Sequence, residues 1–218
     1  MDREQWLKEK RSMAEKRYDA IFAIDYDDKW GGMEEQHKDN LLYFLKLLPK
    51  KTKILDAACG TGKYWSIIIS EGFHILGIDQ SQKMIDSAIY KYPNIDVKKL
   101  GLQEMNYNDE FYGIMCIDAM ENVFPEDWIN VLKNFYKALR KDGYLYFTVE
   151  IIDKKEREEA LRIGSEMGLP VIEGEHAHEG GYHYYPTIER VRELLNYVKF
   201  SVERENSSDG YHHFVVRK

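Results

Sequence analysis

KILDAACGTGKYW, residues 53–65, decides the fold. A short apolar run ends in a carboxylate, Asp56, and breaks at once into a turn carrying Gly60 and Gly62. A buried strand, a glycine turn and a helix open a βαβ unit, whose turn receives a ligand at the helix N-terminus. Such turns usually cradle phosphate, for which a carboxylate is a poor neighbour. A dinucleotide fingerprint also needs a third glycine, G-x-G-x-x-G, so that helix and strand can pack. Trp65 stands at that position. Both features count against NAD or FAD. A ligand with a positive end and no phosphate removes the objection.

Working outward, apolar spacing predicts helices over 2–17 and 33–48, the second through Leu41, Leu42, Phe44, Leu45 and Leu48 and stopped by Pro49. A helix over 62–71 closes at Gly72, and FHILGID (73–79) reads as a strand covered on both faces. Ser81 is placed to cap SQKMIDSAIYKY, which presents Met84, Ile85, Ala88 and Ile89 on one face until Pro93. Strands are predicted over 95–100, 111–118 and 144–151. A helix through Trp128, Leu132, Phe135 and Leu139, stopped by KDG, separates the last two. Five alternations of strand and helix imply a parallel sheet with right-handed crossovers. The end differs. A helix over 187–197, capped by Thr187, leads to KFSVERE and, across NSSDG, to YHHFVVRK, two strands that so short a link makes antiparallel. The fold class is therefore α/β: a doubly wound, mostly parallel, seven-stranded sheet with a C-terminal antiparallel hairpin and helices on both faces.

Over 218 residues, 44% hydrophobic, with no repeats or low-complexity tract, this is one domain with a substantial core. Its expected layout is an N-terminal helical lid (1–50), a ligand-binding core (51–152), a substrate-side insertion (153–187), and a helix with the terminal hairpin (188–218). A net charge of −7 lacks the basic footprint of a nucleic-acid binder. Two cysteines, Cys59 and Cys116, both in buried-looking segments, fit a reduced compartment and no disulfide framework. The charged first twenty residues lack a signal core, and no apolar run reaches membrane-span length. These features imply a cytoplasmic protein.

Asp56-Ala57-Ala58-Cys59-Gly60-Thr61-Gly62 resembles, position for position, the first motif of the class I S-adenosylmethionine-dependent methyltransferases. The cationic cofactor of that family answers the objection raised by Asp56. The resemblance extends over roughly residues 50–152, and the run ALRKDGYLYFTVE is similar to the family's penultimate signature. It implies S-adenosyl-L-methionine as cofactor, S-adenosyl-L-homocysteine as product, and a small-molecule acceptor. Residues 56–60 and Gly62, with Tyr64 opening the helix, would hold the methionyl end. Asp79, at the end of the second strand, would accept both ribose hydroxyls, with Gln80 and Met84 beside it. Leu102, Gln103 and Glu104 occupy the adenine loop, although many relatives carry Asp where Leu102 stands. Asp118 and Ala119 would flank the reacting methyl. Tyr18, Phe22, Tyr26 and Trp30 would close over the cofactor from the N-terminal segment.

Glu121 and His183 are the candidates for removing a proton from the acceptor, the imidazole because it titrates near working pH. The stretch EGEHAHEGGYHYYP gathers His176, His178 and His183 with Glu173, Glu175 and Glu179, yet its spacing gives no firm ligand set, and no metal is assigned. Cys59 reads as a small buried turn residue, His212 and His213 as structural groups on the last strand. For Tyr64 and Trp65, core packing and cofactor contact both fit. Two other functions stay open: a non-enzymatic binder of the same cofactor, and a nucleic-acid or protein methyltransferase. Against nucleic acid, Asp118-Ala119-Met120-Glu121 stands where base-amine enzymes carry Asn/Asp-Pro-Pro-aromatic.

Overall fold

A computed structural model describes residues 2–19, 23–177, 181–208 and 210–218, without the side chains of Glu15, Ala23, Ile24, Asp25 and Trp30. Phe22, His178, Glu179 and the Trp30 side chain therefore lie outside the described residues. Along the described chain run α1 (Arg3–Arg17), α2 (Ala23–Trp30), α3 (Glu35–Leu47), β1 (Lys53–Ala57), α4 (Trp65–Ser70), β2 (His74–Asp79), α5 (Gln82–Lys91) and β3 (Asp96–Lys99). Then follow β4 (Phe111–Cys116), α6 (Trp128–Ala138), β5 (Leu139–Glu150), α7 (Lys154–Glu166), β6 (Glu175–His176), β7 (His183–Tyr184), α8 (Ile188–Val198), β8 (Ser201–Ser208) and β9 (Tyr211–Arg217).

The large sheet has seven strands in the order β3-β2-β1-β4-β5-β9-β8. All pairs from β3 to β5 are parallel, while β9 is antiparallel to both β5 and β8. The expected fold class is thus the observed one. Chain order reverses at β1, between β2 and β4, and this switch point opens a crevice at the strands' C-terminal ends. Strand alternation divides the core. Leu55, Ile114 and Phe147 face α6 and α8 on one side, packing with Trp128, Phe135 and Leu195. Their neighbours Ile54, Met115 and Tyr146 face α3 and α4 on the other, with Phe44 and Trp65. The close approach of α3 needs Gly113 on β4, where a Cβ would stand 2.4 Å from Leu48 Cδ1.

Capping follows the expected residues. Ser81 accepts from the Met84 amide at 3.2 Å and Thr187 from the Arg190 amide at 3.1 Å. Three boundaries differ from expectation. The helix after the glycine turn starts at Trp65 rather than 62, because residues 60–64 remain a turn in which Gly60 and Gly62 take positive φ. β5 begins at Leu139, its register with β4 broken between Phe111 and Gly113, while Asp142 takes a left-handed φ of 62°. The insertion contains the two-residue pair β6–β7, too short to leave a period in the sequence.

Helix α1 docks on that insertion. Trp6, 2% exposed, packs with Phe124, Ala177 and Tyr182. Beside it the Arg3 guanidinium donates to both oxygens of Glu175 at 2.9 Å, and Glu175 is fully buried.

Candidate active site

The turn after β1 is shaped around Trp65. Its ring fills the space that a third glycine would leave open in a dinucleotide site, and Gly77 on β2 makes room for it. A Cβ at Gly77 would lie 2.8 Å from Trp65 Cζ2 and 2.9 Å from Cys59 Sγ. Gly62, at φ +76°, is pressed the same way, since its Cβ would meet the indole at 2.7 Å. The indole Nε1–H donates to Asp56 Oδ2 at 2.7 Å. Asp56 therefore lies behind the turn, 3% exposed, as an anchor for Trp65. Burial pushes its carboxyl up to about 7, with Asp79 adding to the rise and the indole opposing it. Ala57 and Cys59 are buried beside it, and burial likewise raises the Cys59 thiol.

A cavity of about 690 Å³, counted to its open mouth, lies at the crevice. Ala58 and Gly60 bring the turn to it, Asp79, Gln80 and Met84 come from β2 and α5, and Leu102 and Gln103 from the loop after β3. Asp118 and Ala119 close the β4 side, with Tyr18 and Tyr26 above. Asp79 is its best-organised polar group. The carboxylate accepts from the Gly60 amide (Oδ2, 2.8 Å) and the Ser81 amide (Oδ1, 2.8 Å), joining two loops across the crevice. Burial raises its pKa, and these amides hold it down.

The N-terminal segment is tied over this cavity by polar contacts. Asp19 Oδ1 accepts from Ser81 Oγ at 2.6 Å, and Asp27 Oδ1 from Thr61 Oγ1 at 2.6 Å while Lys91 Nζ stands 2.8 Å from its Oδ2. Tyr18 donates to Asn122 Oδ1 at 3.1 Å. None of these partners was legible in the sequence, for their separations run to 104 residues.

Of the remaining candidates, Gly62, Tyr64 and Glu104 do not line the cavity. Tyr64 is turned to Asp118, donating to Oδ2 at 3.1 Å. Asp118 holds a left-handed φ of 54° and is surrounded by donors. Lys63 Nζ lies 3.4 Å from Oδ2, and His37 Nε2 lies 2.8 Å from Oδ1. Burial pushes against its charge, but the His37 contact and Lys63 prevail and hold it below the usual carboxylate range. His37 was missed. Its signal was present, because His37 and Asn40 fall on the buried stripe of α3 with Leu41, Phe44 and Leu45. His213 fits its structural reading: Nδ1 meets Tyr146 Oη at 3.1 Å and Nε2 meets Ser208 Oγ at 2.8 Å.

The two proton-acceptor candidates are not equivalent. Glu121 is buried next to Asn122, whose Nδ2 donates to Oε1 at 2.9 Å. Burial first, then Glu150 and Asp118, pushes its carboxyl up to about 8. His183 sits in a separate small cleft between α1 and the insertion, with Nδ1 at 2.8 Å from Tyr185 Oη. Burial, then Arg17 and His176, brings its imidazole down to about 4, so it is neutral at pH 7. The structure brings Glu121 toward the cavity through Asn122 and leaves His183 across Tyr18 from it.

A stability trend follows. Asp56 and Glu121 bind more protons folded than unfolded between about pH 4, the ordinary carboxylate value, and their raised values of about 7 and about 8. Unliganded protein therefore loses stability as pH rises through that window. Thermal melts at pH 5 and pH 8.5 should show the higher midpoint at pH 5, and the Asp56→Asn, Glu121→Gln pair should flatten the difference. An unchanged pH dependence in that pair would contradict the raised values of Asp56 and Glu121, because the opposing histidines His183 and His213 are the same in both proteins.

Residues 54–143 match the model of a family described as a methyltransferase domain. A ubiquinone/menaquinone biosynthesis C-methyltransferase of Campylobacter jejuni is 33% identical over 106 residues, covering 45% of this chain and 44% of that protein. The chain thus matches under half the length of that curated relative. Among solved structures, the 1,6-didemethyltoxoflavin-N1-methyltransferase of Burkholderia thailandensis, with 1,6-didemethyltoxoflavin and S-adenosylhomocysteine bound, aligns with a TM-score of 0.73 at 15% identity, covering 100% of this chain and 91% of that one. The magnesium protoporphyrin IX methyltransferase of Synechocystis PCC 6803 aligns at 0.69 and 16% identity, over 95% and 98%. At such identities the likeness is one of fold. Residues 54–143, which hold the glycine turn and the central strands, thus match a methyltransferase domain, and the chain as a whole shares the fold of these S-adenosylhomocysteine-bound enzymes.

Proposed function

We propose that the protein transfers a methyl group from S-adenosyl-L-methionine to a small-molecule acceptor. The observation that carries this reading is the cavity at the switch point, floored by a carboxylate that bridges the glycine turn and the next loop. Asp79 keeps lone pairs for two ribose hydroxyls while its amide contacts fix its position. The Ala58–Gly60 turn receives the methionyl end, and Leu102 with Gln103 the adenine. Asp118 and Asp79 give the cavity a negative field suited to a sulfonium and an ammonium. The N-terminal helices act as the lid, residues 51–152 as the cofactor core, and 153–187 as the acceptor side.

The sulfonium already activates its methyl, so the protein's task is alignment. Holding the acceptor's nucleophilic atom in line with the S–CH3 bond, near contact and away from water, supplies the larger part of the acceleration. The bond from acceptor to carbon forms as the carbon–sulfur bond breaks, and its electron pair passes to sulfur.

The named relatives support a small acceptor, since a toxoflavin precursor, a porphyrin and quinone biosynthesis figure in their names. No helix among the described residues is long and apolar enough to cross a membrane. The net charge of −7 weighs against nucleic acid. The test is acceptor-dependent formation of S-adenosylhomocysteine from labelled S-adenosylmethionine, over a panel of amines, phenols, thiols and carbon acids. Turnover on some member is expected. Tight cofactor binding with no turnover on any would favour the non-enzymatic binder.

A further inference from the structure

Next to the cofactor cavity the sheet edge gathers carboxylates that the fold leaves unpaired. Glu121 follows β4, and Glu150 ends β5, where it stands opposite Tyr211 of β9. Glu121 is 7% exposed, and its Oε2 is enclosed without a hydrogen-bond partner. Among the described residues neither Glu121 nor Glu150 meets a lysine, arginine or histidine, and no cation offsets the burial of either. Asp118 differs, being matched by His37, Lys63 and Tyr64. Enclosing a carboxyl group without a cation or a full set of hydrogen-bond partners is costly, and an apolar residue there would avoid the cost.

The surroundings suit a cation. Burial together with the Glu121 charge pushes the hydroxyls of Tyr18, Tyr26, Tyr185 and Tyr211 up, and Tyr18 and Tyr26 line the cofactor cavity. Tyrosine faces attract cations, and the more so away from water. Asn122 joins Glu121 to the cofactor site: its Nδ2 donates to Glu121, its Oδ1 accepts from Tyr18, and it lines the cavity with Ala119.

We propose that these carboxylates and tyrosines form the acceptor site, that it takes a basic amine as the ammonium cation, and that Glu121 removes the proton before methyl transfer. The inference rests on the methyltransferase reading and specifies its substrate class. Burial, then Glu150 and Asp118, raises Glu121 to about 8, and burial, then Asp118 and Glu156, raises Glu150 to about 7, so Glu121 holds a proton at pH 7 before an acceptor binds. An arriving ammonium favours the carboxylate, and that proton leaves to solvent. Glu121 then takes a proton from the ammonium and frees the nitrogen lone pair. The lone pair forms the N–CH3 bond as the C–S bond breaks, its electrons passing to sulfur. Anionic acceptors meet repulsion from the same groups.

The test uses the full chain saturated with S-adenosylhomocysteine and titrates matched arylalkyl and aliphatic amines, all cationic at pH 7, with the corresponding alcohols and carboxylates. Calorimetry at pH 7 in buffers of different ionisation enthalpy reads both affinity and proton release. Amines of the panel are expected to bind with release of close to one proton, and alcohols and carboxylates more weakly. Glu121→Gln should remove the larger part of the proton release and weaken amine binding about tenfold or more, the scale of a charged hydrogen bond, while S-adenosylhomocysteine still binds. Glu150→Gln should weaken amines and keep the release. Failure of every amine, stronger binding of a carboxylate or alcohol, or unchanged proton release in Glu121→Gln each overturns the inference. Failure of S-adenosylhomocysteine itself to bind would instead remove the methyltransferase reading.

Discussion

Asp79→Ala should lower affinity for S-adenosylhomocysteine by about 100-fold, the largest single loss expected at the cofactor site. Two effects add. On the proposed ribose role of Asp79, the variant removes the acceptor for the ribose hydroxyls, and a hydrogen bond to a charged group is worth about 1.5–3 kcal/mol. It also strips the Gly60 and Ser81 amides of their partner, so the turn and the neck of α5 lose their mutual reference. Each tenfold loss corresponds to about 1.4 kcal/mol. Asp79→Asn keeps one oxygen acceptor and should lose only about tenfold. Thermal melting of both variants separates binding from folding, because a carboxylate whose burial raises its pKa does not itself hold the core together. Unchanged affinity in a folded Asp79→Ala would remove the ribose assignment.

The second large effect concerns α1, proposed above as part of a lid. Glu175→Ala should cost about 3–5 kcal/mol, as breaking a buried ion pair leaves the partner charge stranded. Glu175 accepts from Arg3 twice, from the Ile172 amide at 2.7 Å and from Tyr182 Oη at 2.5 Å. Arg3 also reaches Glu126 and the Pro170 carbonyl, so one guanidinium fastens α1 to the insertion and to the loop before α6. A further pair, Arg11 with Asp127, continues the same seam. Hydrogen exchange should show α1 amides losing protection in Glu175→Ala, while amides of β1 and β4 keep theirs at the stability that remains. Because α1 leads into Tyr18 at the cavity, cofactor affinity should fall with it. Loss of less than about 1 kcal/mol, the range of a surface pair, would mean that this contact does not hold the lid.

How much of this was readable depended on whether the information was local. The strand KILDA, its turn and the Ser81 and Thr187 caps are set by neighbours in sequence, and their predicted chemistry is what the structure shows. The missing third glycine was read correctly as a departure from a dinucleotide site. Its physical answer, Gly77 making space for Trp65 on the next strand, lies twelve residues away and only the β1–β2 pairing reveals it. Asp56 was legible as a special residue but not as the acceptor for the indole behind the turn. Helix α2 escaped notice because aromatic residues at irregular intervals give no period, and β6–β7 because two residues cannot alternate. Glu150 and Tyr211 are brought opposite each other only through antiparallel register, and His37 meets Asp118 from 81 residues away. Long-range polar contacts of this kind leave at most a hint in the sequence, such as a histidine on an apolar helix face.

The central claim is that the mouth of the first crossover receives a positively charged adenosyl compound. Titration calorimetry of the unmodified chain with S-adenosylmethionine, S-adenosylhomocysteine and NAD tests it directly. Saturable binding of the two adenosyl compounds in the micromolar range, with no heat from NAD, is the expected result. Binding of NAD with none of either adenosyl compound would contradict it.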